Sequence, residues 1–229
     1  MRAETHRRTR IVFPESDSMG EMTSSWAALL GLGAFHGINP GMGWLFAVAL
    51  GLQERRRGAV LSALLPLGVG HALAVAAAIL LALGVGAAMP LQWLRWLVAA
   101  ILIGFGISRL LRHRHPRWAS MRVSKSGLTL WSFLMASAHG AGLMVVPLFL
   151  AMSVPAEHAH HAALMNGSTP ATALLATGLH ALGYLLVTAV VAFVVFEKFG
   201  VGILRKSWFN LDLLWAIALI ATGVLGVLL

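Results

Sequence analysis

The sequence predicts an all-α integral membrane protein whose six transmembrane helices form a 3+3 inverted repeat. Three observations carry that expectation. The composition is too apolar for a soluble domain, six apolar segments are set apart by polar breaks, and three motifs recur in the same order in both halves. Of 229 residues, 59% are hydrophobic and 11% charged, with a mean hydropathy of +0.82. A soluble domain carries about 25% charged residues, whereas a membrane crossing needs about 20 consecutive apolar ones.

The elements follow in chain order. Residues 1–23 are polar and mixed in charge, with no apolar stretch before Trp26, and read as an extramembrane tail rather than a cleavable leader. The first three-helix repeat is expected over 24–112, from apolar segments at 24–52, 59–88 and 91–111. A basic cytoplasmic connection spans 113–127. The second repeat is expected over 128–229, from segments at 128–153, 171–196 and 209–229.

The breaks fix an orientation. The first carries Gln53-Glu54-Arg55-Arg56-Arg57, the third includes Arg112, Arg114, Arg117 and Arg122, and the fifth has Lys198, Arg205 and Lys206. The second and fourth lack Lys and Arg. Cationic connections stay cytoplasmic, so the odd connections face the cytoplasm and both termini lie outside it. The net charge of +9 is thereby a topology signal, and nucleic acid is not expected as a partner. The chain has no cysteine, which excludes disulfides, thiolate metal sites and dithiol redox chemistry.

Three stretches of the first half recur in the second. AFHGINPGMGWLFA in segment one resembles SAHGAGLMVVPLFLA in segment four. GHALAVAAAILL in segment two resembles LHALGYLLVTAV in segment five, and LRWLVAAILIGFG in segment three resembles LDLLWAIALIATG in segment six. Three helices per repeat force the second copy to cross in the opposite sense, the construction of many secondary transporters, with substrate held between the halves near the midplane.

Histidine marks that place. At 1.5 Å per residue, His36, His71, His139 and His180 each fall near the centre of an apolar segment, paired by the repeat as His36 with His139 and His71 with His180. An ionisable group in a membrane helix is costly and marks a pathway or site. The four imidazoles are therefore expected to converge on one metal ion. Glycines such as Gly33, Gly37, Gly68 and Gly70 would let the helices approach. Pro40, Pro66 and Pro147 each remove a backbone donor and open a helix. Asn39 would orient a ring or supply an oxygen, Met42 and Met135 lie beside His36 and His139, and Tyr184 and Thr188 continue the His180 face. In the fourth connection, Glu157, His158, His160 and His161 form a short cluster suited to capturing a metal on the outer side.

The six-helix duplicated plan, with HGINPGMGW and GHALAVA, resembles the lysine-exporter and NicO-like superfamily of bacterial transporters, which includes nickel and cobalt permeases. The histidine–Asp-His helix motif of those permeases is missing here. The resemblance implies a multi-pass protein of the bacterial inner membrane. Imidazoles without thiolates and with few acids suit Ni, Co, Zn, Cu or Fe rather than Mg or Ca. The expected function is transport of a divalent transition-metal ion, with no tightly bound cofactor. Proton coupling is available because histidine titrates near neutrality. Membrane lipid is the expected surrounding, and a homo-oligomer stays open. Two other readings compete: a proton-coupled transporter of a small organic solute such as an amino acid, and an electron carrier with bis-histidine haem. No HExxH motif or nucleophile elbow points to an enzyme.

Overall fold

The computed structural model describes residues 15–111, 124–153, 168–199 and 211–228. Among the described residues the chain is almost entirely helical and has no strand, and a helix is one of the two ways a chain can satisfy its backbone where water is excluded. In order the helices are α1 (Glu15–Ile38), α2 (Trp44–Glu54), α3 (Arg57–Ala88), α4 (Leu91–Leu111), α5 (Lys125–Ala138), α6 (Ala141–Ser153), α7 (Ser168–Val194) and α8 (Leu211–Leu228). A single 3-10 turn, Pro40–Met42, separates α1 from α2, and α7 ends in a π turn over Val195–Phe199.

Three of these stretches are long and apolar enough to cross a membrane, Arg57–Ala88, Leu91–Leu111 and Pro170–Lys198. A fourth crossing exists if α5 and α6, bent by 64° at their junction, count as one span. This architecture is compatible with a membrane protein. Large apolar side chains turn outward along the long helices: Leu65 is 72% exposed, Leu81 68%, Leu111 78% and Leu174 75%. In water such faces would drive aggregation; in a bilayer they meet hydrocarbon.

The sequence expects prolines to interrupt helices at corresponding places in the two halves. Segments one and four are both broken, but of the three prolines only Pro40 lies at a break. α3 continues through Pro66 and α6 through Pro147. The second break falls at His139 and Gly140, where no proline stands nearby. Gly140 takes φ +72 and packs so closely that a Cβ would stand 2.9 Å from a Leu219 methyl, which reserves the position for glycine. At the first break Gly43 has φ 135. The α1 helix also begins at Glu15, inside the stretch read as a tail. Most of the basic connection and the cluster Glu157, His158, His160 and His161 lie outside the described residues.

Glycine sets the tightest helix contacts. A Cβ on Gly33 would collide with the His180 carbonyl and one on Gly37 with the Tyr184 carbonyl, four residues further along both helices, so α1 and α7 touch backbone to backbone and run parallel. A Cβ on Gly70 would strike the Thr129 carbonyl, which brings α3 equally close to α5. Ser132 reinforces that seam, its hydroxyl donating to the Leu67 carbonyl at 2.6 Å. Gly106 faces Ala216 and Ile220 while Gly223 faces Ala99 and Ile103, so α4 and α8 lie antiparallel. Small residues at such seams replace the hydrophobic drive that lipid removes.

A candidate site of three buried imidazoles

The seams of α1, α3 and α7 bring three of the four expected histidines together. His36 comes from α1, His71 from α3 and His180 from α7, all fully buried. Their ring centroids lie 5.0 Å (His36–His180), 5.3 Å (His71–His180) and 5.6 Å (His36–His71) apart. Tyr184, one turn after His180, stacks on His71 with centroids 3.9 Å apart and planes 6° off parallel. Thr188, a further turn on, is also buried.

Backbone partners set the proton positions. His36 Nδ1 lies 2.6 Å from the Leu32 carbonyl, and His180 Nδ1 lies 3.2 Å from the Leu29 carbonyl of α1. A carbonyl only accepts, so Nδ1 carries the proton in each and Nε2 keeps its lone pair when the ring is neutral. Those two Nε2 atoms, and both ring nitrogens of His71, are buried without a hydrogen-bond partner. A buried polar atom left unmatched costs about 1–3 kcal/mol, and such orphans call for a functional explanation. Holding the proton on Nδ1 so that Nε2 stays basic is also how metal-binding histidines are oriented.

His139 does not join them. It sits at the C-terminal end of α5, its Nδ1 donating to the Met135 carbonyl at 2.8 Å, and Trp215 of α8 touches both it and His36. The indole meets His36 edge-on at 4.6 Å and His139 edge-on at 5.4 Å. Where four imidazoles are expected at one point, three are in mutual ring contact and the fourth lies against the indole. Depth along a helix, which is all that residue counting yields, does not say what lies between two side chains. Among the described residues, no group of three or more His, Cys, Asp or Glu side chains is arranged to hold a metal ion. The three rings are close, but they do not form such a ligand set.

The other expected residues have structural employment. The Asn39 side-chain oxygen accepts from the Gly41 amide at 2.9 Å, capping the 3-10 turn instead of facing His36. Met42 is buried in the core and offers its carbonyl to the Tyr184 hydroxyl at 2.6 Å. Met135 packs against the same core. The carbonyls released at the breaks are also occupied: Trp44 Nε1 donates to Ile38 at 2.9 Å, Trp215 Nε1 to His139 at 2.7 Å, and Arg109 to Ala138. The freed backbone therefore serves as an anchor for side chains and is not left open to a cation.

Trp215 escaped the sequence reading, although a signal exists. When LDLLWAIALIATG is laid on LRWLVAAILIGFG, Trp215 falls where the first copy has Val98. An indole replacing a small residue in one half marks a point where the halves do different work.

Fold and site together define a helical protein with several membrane-length apolar helices and an interior cluster of imidazoles. No family model, no curated protein and no solved structure matches the chain.

Proposed function

We propose that this protein is a membrane transporter of a divalent transition-metal ion, which passes the His36–His71–His180 cluster. The observation that carries the reading is the ring spacing. A tetrahedral ion bound through imidazole nitrogen at about 2.1 Å would hold ring centroids roughly 5.3 Å apart. The three observed separations, 5.0, 5.3 and 5.6 Å, bracket that value. What loading requires is rotation of rings already at the right distance, so that their Nε2 atoms face inward. Cargo must also leave, and a cluster short of a finished ligand shell suits passage better than a closed structural site does.

The six-span inverted repeat belongs to the same proposal. Supporting it, the two halves break at corresponding places, after His36 in one and at His139 in the other. α1 packs on α7 as α5 packs on α3. The parallel α1–α7 pair and antiparallel α4–α8 pair are the senses expected if segments one, three and five cross one way and two, four and six the other. Broken helices in matching positions of two halves point to a transporter site. We place the chain in the bacterial inner membrane with both termini outside the cytoplasm, and group it with the six-helix lysine-exporter and NicO-like transporters.

The test is binding and vesicle uptake of Zn²⁺, Ni²⁺ and Co²⁺ by purified protein. His36→Ala, His71→Ala and His180→Ala should each weaken binding by at least about 100-fold, since loss of a supporting residue alone costs 10–100-fold. Uptake should fall as the medium is acidified, because a protonated imidazole has no lone pair for the ion. Variants that bind and carry metal like the parent would sink the reading. A second reading, a proton-coupled carrier of a small organic solute, is favoured by the lack of a formed ligand set. It predicts proton-driven amino-acid uptake, lost in His71→Ala, from a protein that binds no metal.

A further inference from the structure

We propose that Trp215 is a positioning residue that holds His139 out of the imidazole cluster, so that withdrawal of its indole adds a fourth nitrogen ligand. The inference deepens the metal reading and rests on it for the identity of the ion.

The indole is 3% exposed and is held on several sides. It stacks on Phe35 with centroids 4.9 Å apart and planes 8° off parallel, and presents edges to His36 and His139. Its N–H is bound to the His139 carbonyl at 2.7 Å. One side chain thus contacts both the fourth histidine and a member of the cluster while also tethering that histidine's backbone.

The two parts it joins lie on different helices. His139 sits at the α5–α6 junction, with Gly140 at φ +72 beside it, so a small change at that junction swings the imidazole. Trp215 rides on α8, which packs against α4 through Gly106 and Gly223. A shift of α8 relative to α5 would carry the indole away and release the His139 carbonyl in the same motion. With the indole in place the cluster offers three imidazoles and a loosely held ion. With it withdrawn, His139 completes a four-nitrogen shell, which suits retention while the path is closed on both sides. Coupling a ligand's access to a helix shift is how a carrier would avoid leaving its ion open to both faces at once.

The chain has no native cysteine, so His36→Cys with His139→Cys supplies a lone thiol pair. A short bifunctional thiol reagent that fluoresces only when both arms react reads their approach without any metal. With Trp215 present, cross-linking should stay at background; adding Trp215→Ala should raise it clearly above background. Trp215→Phe, which keeps a ring but loses the N–H, should give an intermediate yield, and it decides the matter if the alanine variant fails to fold. Separately, electron paramagnetic resonance of bound Cu²⁺ counts ligand nitrogens. It should report three in the parent, four in Trp215→Ala, and three again in Trp215→Ala with His139→Ala.

Equal cross-linking with and without the indole overturns the inference, even if the parent binds copper normally. Absence of any copper signal in the parent overturns the metal reading instead, and the cross-linking result still decides the role of Trp215.

Discussion

Gly33→Ala should destabilise the folded protein by about 3 kcal/mol or more, at or beyond the upper end of what overpacking costs. Gly31→Ala, on the same helix, should be neutral or stabilising by up to about 1 kcal/mol, the helix-propensity gain of alanine over glycine. The two substitutions add the same methyl group. At Gly31 nothing lies within 4 Å of the new carbon, and the face is turned outward. At Gly33 the methyl would collide with the His180 carbonyl, with the Tyr184 amide nitrogen 3.0 Å away. Backbone cannot rotate aside as a side chain can, so α1 and α7 must separate. Separation would also pull His36 from His180, and metal binding should fall along with stability. Unfolding midpoints of the two variants in one detergent check this directly. Equal midpoints would mean that the helices are not held at backbone contact.

The second large effect is expected at Tyr184, which has two tasks that substitution can divide. Its ring stacks on His71, and its hydroxyl closes the broken first segment by donating to Met42. Tyr184→Phe keeps the ring and leaves a buried carbonyl unmatched, for an expected loss of about 1–3 kcal/mol. Tyr184→Ala removes the ring as well and should cost about 3–5 kcal/mol, the range for truncating a buried aromatic. Ion binding should separate the variants further. With the stack intact, the phenylalanine variant should stay within about tenfold of the parent, the lower bound for disturbing a ligand's support. The alanine variant should fall well below it, because nothing then holds the His71 plane. If both variants bind alike, the stack does not orient that imidazole.

Much of this was legible in the residues themselves. A run such as Leu73 to Leu83 can be read as a membrane-compatible helix because lipid acts on each side chain separately and its preference sums along the chain. The glycines before His71 and around His36 announced close seams, since only a missing Cβ permits backbone contact. The depth of each histidine followed from the constant rise of a helix. Proline marks the first break, at Pro40, but it is not the decisive breaker elsewhere. A single missing hydrogen bond is absorbed within a packed bundle, and α3 runs on through Pro66. The junction after α5 is set by packing instead, where Gly140 fits against Leu219 and Trp215 captures the His139 carbonyl.

The sequence by itself determined an apolar, helical, cysteine-free chain whose few buried ionisable groups are imidazoles, because composition and period are local properties. Only the tertiary structure decided which imidazoles meet. His36, His71 and His180 belong to three helices, and their separation depends on how those helices are rotated and spaced. The sequence places His139 at their depth, yet it packs against an indole from α8. Proximity between distant residues is a property of the packed assembly, since it depends on the volume of everything placed between them.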